Sequence, residues 1–267
     1  MSITKRLDQA RKAFEKKDLA ASAEAHSPKA IKRAMEPHGG ASHQYIGDMV
    51  YGGLDGIVTT FAVVSGVAGA GLGSGIILIL GLANLFADGF SMAAGAYLSS
   101  KSEREYYDRE REREVWEVEH FPDGERAELV EIYEAKGYSP EDARTLIDIH
   151  AKDHERWVDE MMVQELGMLP DERQPILSAA ATFGAFLVAG AVPLLVYLLG
   201  LFLPVDPTMA FRVSVVLSAL ALFGLGAAKV FVTERNWFRS GLEMLVVGGL
   251  AAGVAYLVGF LLQGLGA

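Results

Sequence analysis

Two stretches of this 267-residue chain, 175–203 and 246–267, contain no charged side chain at all. A helix crossing the hydrocarbon core of a bilayer needs about 20 consecutive apolar residues, because its backbone polar groups find no water there and must pair within the helix. Five segments meet that requirement: 45–70, 74–99, 175–203, 208–233 and 240–264. The last four are plain apolar runs rich in Gly and Ala, the small residues that let membrane helices approach closely. The first contains Asp48 and Asp55, but Val58 to Ala70 is apolar and Gly71-Leu72-Gly73-Ser74-Gly75 supplies a tight turn into the second. The expected fold is all-α, a five-span transmembrane helical bundle with a helical insert between its second and third spans.

Charge is segregated. Residues 100–174 hold 23 Asp/Glu and 11 Lys/Arg, a local net charge of −12 in a chain whose total is −10. The acidity of the protein therefore reports one block, which repels nucleic acid and attracts cations. The chain has no cysteine, which excludes disulfides, zinc–thiolate sites and iron–sulfur clusters. The first forty residues are polar and lack the apolar core of a cleaved leader.

Positive charge sets the expected topology. The segment before the first span carries 9 Lys/Arg, the insert 11, and the fourth-to-fifth connection holds Arg235 and Arg239, with Lys229 at its edge. The connections at 71–75 and 204–207 carry none, and Arg212 alone lies near a span end on the other side. Five spans with the N-terminus inside and the C-terminus outside place nearly every positive charge on the cytoplasmic face. The expected organisation is a cytoplasmic N-terminal segment (1–43), spans one and two (44–99), a cytoplasmic acidic insert (100–174) and spans three to five (175–267).

The insert reads as three helices. Lys101 to Glu119 continues the second span, Pro122-Asp123-Gly124 interrupts it, and a short helix follows over 124–136. Ser139 as N-cap and Pro140 in the first turn open a third helix expected to reach about 167, where Gly167 and Pro170 stop it. In the N-terminal segment, Ile3, Leu7, Ala10 and Phe14 recur at helical spacing among basic residues. That pattern suits a short amphipathic helix on an anionic lipid surface, and it equally suits an unstructured tail.

Glu103, Glu110, Glu114 and Glu117 lie 7, 4 and 3 residues apart and so form one helical stripe. Arg104, Arg109, Arg111 and Arg113 could pair with it as a solvated face. Glu125 and Glu128 add acids on the second insert helix, and Met161, Met162 and Glu165 cluster on the third. Carboxylates with thioether sulfur suit a first-row divalent ion over Mg²⁺ or Ca²⁺, whereas the two methionines equally suit helix packing. His150 and His154, four apart on the expected third helix, could clamp a metal but match no zincin pattern.

An ionisable group inside a span is costly and marks function by default. Asp48 and Asp55 are seven apart, on one face of the first span. Asn84, Asp88 and Met92 step by four along one face of the second. If these faces meet, carboxylates and a thioether converge within the bilayer, as a cation path requires.

The run Asp55-Gly56-Ile57-Val58-Thr59-Thr60-Phe61-Ala62-Val63-Val64-Ser65-Gly66 leads into Gly81-Leu82-Ala83-Asn84. After it come Ser91-Met92-Ala93-Ala94-Gly95-Ala96-Tyr97-Leu98 and the Glu-rich helix. Together these motifs resemble the vacuolar iron transporter family of plants, fungi, protists and bacteria, over about residues 45–265. The resemblance implies a homodimer with a pore lined by the first span, a cytoplasmic three-helix metal-binding domain, and export of Fe²⁺ from the cytosol by proton antiport. Mn²⁺ would be a second cargo, and Zn²⁺ or Co²⁺ surrogates. By motif position it implies pore residues Asp55 and Met92, and domain ligands Glu114, Glu117, Glu125, Glu128, Glu165 and the Met161/Met162 pair.

Plant members carry Glu where this chain has Asn84, which Asp88 one turn on could offset. The membrane implied is a bacterial cytoplasmic membrane in preference to a vacuolar one, and residues 1–43 are too short for the ferritin-like domain of some relatives. No enzymatic role is expected, since the chain is read as lacking the Glu-x-x-His motifs of a membrane di-iron oxidase. The competing reading is a membrane-anchored iron buffer or sensor, which would need no polar groups in its spans.

Overall fold

The structure, a computed structural model, describes residues 3–33, 45–171, 173–228 and 236–264. Those residues are helical with no strand, and the chain divides into two compact units, Met1–Ile46 and Gly47–Ala267.

The first unit contains α1 (Ile3–Glu15), α2 (Leu19–Ala25) and α3 (Pro28–Arg33). The amphipathic pattern over Ile3 to Phe14 does form a helix. It ends at Glu15, and Lys17 in the turn that follows adopts a left-handed backbone (φ 53°). Asp18 then opens α2, its Oδ1 accepting from the amides of Ala20 and Ala21 at 3.0 Å, which satisfies donors that a helix start leaves free. Ala13 on α1 and Ala25 on α2 are buried.

In the second unit, five helices are long and apolar enough to cross a membrane, and the protein is an integral membrane protein. They are α4 (Ile46–Gly69), the first part of α5 (Ser74–His120), α9 (Pro175–Gly190) with its continuation, α11 (Pro207–Ala228) and α12 (Trp237–Leu261). After α9 the chain tightens into a 3₁₀ turn (Val192–Leu194) around Pro193 and resumes as α10 (Leu195–Leu199). Ser214 Oγ donates to the Pro193 carbonyl at 2.7 Å, so this acceptor is satisfied away from water. The expected end of the fourth span, and Lys229 and Arg235, lie outside the described residues.

Small residues determine how closely the spans pack. A Cβ on Gly56 would lie 2.4 Å from the Phe186 carbonyl oxygen, and one on Gly259 would lie 1.9 Å from that of Gly66. Backbone therefore meets backbone where α4 crosses α9 and α12. Around these crossings Phe61, Val64, Leu85, Phe186, Leu194, Tyr197, Ala210 and Ala252 form one apolar core drawn from all five spans.

Between the second and third spans lies the insert: the distal half of α5, then α6 (Pro122–Ala135), α7 (Pro140–His150) and α8 (His154–Gln164). The second span and the first insert helix are indeed one helix of 47 residues, about 70 Å at 1.5 Å per residue. Pro122, expected as a breaker, occupies the first turn of α6, where its missing N–H costs nothing.

The third insert helix departs from expectation. It splits at 151–153, because Asp153 turns extended and its carboxylate caps Arg156 N at 3.0 Å. His150 and His154 consequently belong to different helices and do not form an i,i+4 pair. Ser139 caps α7 as expected, accepting from Asp142 N at 3.1 Å. Val118, Leu129, Tyr133, Ile147, Trp157, Val158, Met161 and Met162 form the insert's own core.

The crossings make a direct prediction. Gly56→Ala forces a methyl against backbone that cannot yield, whereas Gly184 on α9 has open space around its Cβ position. Overpacking typically costs about 1–3 kcal/mol. Gly56→Ala should lower the thermal midpoint of the detergent-solubilised protein by several degrees and Gly184→Ala should leave it unchanged; equal midpoints would refute the close crossing.

Candidate metal site and membrane path

Glu114 sits on the inward side of α5 with 0% exposure, and Glu125 in the first turn of α6 with 6%. Pro122 turns the chain back immediately after α5, bringing the two together. Glu165, the C-cap residue of α8, completes the group: one oxygen from each of the three carboxylates lies within 4.8 Å of the others. Both oxygens of Glu114 and Oε2 of Glu125 are buried without a hydrogen bond. Burying a carboxylate with no compensation costs several kcal/mol, so the site demands a proton or a cation. Three convergent oxygen donors around an unsatisfied interior suit a divalent ion.

The chain supplies a partial counter-ion of its own. Arg113, half exposed, reaches Glu110 at 3.2 Å and Glu117 at 2.6 Å. It approaches Glu114 Oε1 at 2.7 Å, outside hydrogen-bonding geometry. A guanidinium on a flexible stem at the site's edge can swing out when a metal enters. Arg113 was legible only as a generic partner of the Glu stripe; its position at the mouth of the cluster comes from the fold.

The predicted ligands sort by place. Glu117 and Glu128 lie near enough for their charges to act on Glu114 and Glu125, so both border the cluster. Glu110 is held by Arg109 and Arg113. Glu103 is engaged further down the helix, accepting from Ser99 at 3.1 Å and Arg173 at 3.2 Å. Met161 and Met162, both 0% exposed, sit in the apolar core behind the acids. The histidines stand apart from the trio: His150 lies 3.9 Å from Glu160 and His154 4.0 Å from Glu119. One Glu-x-x-His spacing does occur, Glu117 to His120, but His120 is exposed and stacked on Trp116.

Burial, reinforced by the neighbouring carboxylates, raises Glu114 and Glu125 from the usual range to about 7 and also raises Glu165. Glu110, paired with Arg109 and Arg113, is lowered.

Within the spans, Asp48 and Asp55 share a face of α4. Asp48 Oδ2 accepts from Ser178 Oγ of α9 at 2.7 Å. Asp55 and Asp88 are close enough for their charges to interact. Asn84, one turn before Asp88, buries its amide nitrogen without a partner. Met92 packs on the transmembrane core. Sequence reasoning missed Arg173. It binds Asp171 at 2.8 Å and Glu103 at 3.2 Å, and its charge also acts on Asp48, tying the end of the insert to α5 near the start of the path. An Asp-x-Arg pair beside Pro170 was the available signal.

Two predictions follow from the carboxylates. Ionisable acids whose folded value is near 7 and unfolded value near 4.5 favour the metal-free fold at low pH. That contribution is complete below the unfolded value and is lost as pH rises through about 7. Thermal stability of the metal-free protein should fall between pH 5 and 7.5, and Glu114→Gln/Glu125→Gln should flatten the slope; an unchanged slope would place the titration elsewhere. Metal needs the ionised forms, so Mn²⁺ affinity should rise from pH 6 to 8 with proton release, read by calorimetry in buffers of different ionisation heat. A pH-independent affinity would exclude these acids as ligands.

The VIT family model matches residues 46–260. A protein called "Vacuolar iron transporter" from Toxoplasma gondii is 40% identical, the alignment covering 96% of this chain and 88% of the relative. Its namesake from Plasmodium falciparum is 33% identical over 98% of both chains. The "Vacuolar iron transporter 1" of Eucalyptus grandis is 35% identical over 80% of this chain and 84% of its own. With five membrane-spanning helices, an acidic helical insert and this breadth of similarity, the chain belongs to the VIT family.

Proposed function

We propose that the protein exports ferrous iron from the cytosol across its membrane, with Mn²⁺ as a second cargo, in exchange for protons. Relatives named as iron transporters point to the cargo. The observation that carries the reading is the presence of two sets of undercompensated carboxylates, one in the insert and one inside the bilayer. Glu114, Glu125 and Glu165, with Glu117 and Glu128 beside them, capture the ion and release protons. In this reading the insert faces the cytosol, where collection has to occur; the positive charge around the N-terminus, the insert and the fourth-to-fifth connection supports that side. From there Asp48, Asp88 and Asp55 provide negative charges, and Met92 a soft donor one turn to the insert side of Asp88.

In this scheme Asp55 carries the exchange. A carboxylate in low dielectric holds either a proton or a cation. Binding the metal expels the proton, and proton return from the far side expels the metal. One protomer offers few polar groups to enclose such a path, so a two-fold dimer with first spans facing is part of the proposal.

A membrane-anchored buffer would need the insert alone; the Asp55–Asp88 pair in the spans favours transport. The two readings separate in proteoliposomes. Asp55→Asn keeps shape and removes charge, so Fe²⁺ flux should fall to background while the protein still binds metal at the insert. Met92→Ala should reduce flux less. Full flux in Asp55→Asn would make the aspartate a structural group and return the protein to the buffer reading.

A further inference from the structure

The first unit lies almost entirely outside the matched family region, which begins at residue 46, yet it is folded and carries an unusual corner. Where α1 turns into α2, Phe14 is 68% exposed and Leu19 is 86% exposed. Between them stand Glu15, Lys16, Lys17 and Asp18, with Lys17 at the tip in its left-handed conformation and its Nζ 3.7 Å from the Phe14 ring centroid. Lys12 lies in the last turn of α1, four residues before Lys16. Asp18, the acid nearest the tip, is occupied in capping α2.

Scattered exposed apolar side chains are ordinary on soluble surfaces. Two bulky ones flanking a pair of lysines at a helical corner are the arrangement by which a peripheral element enters a lipid interface, rings and aliphatics into the acyl boundary and ammonium groups at the phosphates. The unit is also basic: residues 1–33 carry nine Lys/Arg against four Asp/Glu, a charge that favours an anionic surface.

We infer that the α1–α2 corner docks on the anionic lipid surface of the protein's own membrane, Phe14 and Leu19 inserting and Lys16 and Lys17 pairing with headgroup phosphates. The partner is lipid, not protein, because the apolar element is only two side chains wide while the unit that carries it is basic overall. This inference needs only the membrane spans and is independent of the transport reading.

The chain has no cysteine, so Phe14→Cys places a single probe without disturbing a buried contact. The full-length protein, labelled there with an environment-sensitive fluorophore, is reconstituted in phosphatidylcholine vesicles and in vesicles with phosphatidylglycerol in both leaflets. Emission should shift to the blue and iodide quenching should drop in the anionic vesicles only, reversing in high salt. Each lysine at such a surface shifts the bound-to-free ratio roughly five-fold, so Lys16→Gln/Lys17→Gln in the labelled chain should reduce it about 25-fold. A probe equally accessible to iodide in both vesicles would overturn the inference. So would protection independent of lipid charge, which would mean that protein covers the corner.

Discussion

Everything in the insert turns on one electrostatic constraint: Glu114 is fully buried and neither of its oxygens has a hydrogen bond. A helix designed only for stability would place an apolar residue there, since Val118 one turn on is also buried and packs in the core. The acid persists in a position where burial makes its ionised form unfavourable. Glu125 has the same character, losing hydration as α6 folds back, whereas Glu165 joins them from the exposed end of α8. The apolar core beneath, with Met161 and Met162 at its centre, fixes the helices that aim the three carboxylates at one another. Arg113 moderates the repulsion without filling the site.

The second constraint is continuity. Glu114 and Asp88 lie on the same uninterrupted helix, 26 residues apart, hence about 39 Å along its axis. The acid cluster and the intramembrane aspartates therefore hold a fixed register, with no flexible linker between them on α5. Arg173 closes the return side, where its pairs with Asp171 and Glu103 anchor the end of the insert to the same helix. At the membrane end, glycine crossings bring α4 against α9 and α12 at backbone contact. That closeness fixes the position of the α4 face carrying Asp48 and Asp55.

Much of this was legible in the sequence because the governing signals are local. Charge-free runs of the right length locate the spans, Gly71 to Gly75 marks the first turn, and seven- and four-residue spacings place Asp48 with Asp55 and Asn84 with Asp88. Less was legible where tertiary geometry decides. The Glu stripe has one spacing but three fates: Glu103 bound to Arg173, Glu110 to two arginines, Glu114 buried. Nothing in a heptad-like pattern distinguishes these. The break between α7 and α8 was missed because Asp153 reads equally as a helix-face acid and as a cap. The N-terminal pattern suited a helix and an unstructured tail equally, and gave no sign that α1 would pack against α2 with Phe14 left outside.

The central claim is that the three converging carboxylates hold a divalent ion, and it is tested most directly by locating one. Zn²⁺ can stand in for the cargo because its anomalous scattering identifies it uniquely. Carboxylate oxygens bind it at about 2.0–2.2 Å, which the flexible Glu114, Glu125 and Glu165 side chains can reach from their present separation. Crystals of the full-length protein grown with Zn²⁺ above pH 7 should show an anomalous peak among those three residues, with Arg113 turned away from Glu114. Peaks confined to exposed acids, with the trio still metal-free and Arg113 in place, would contradict the account.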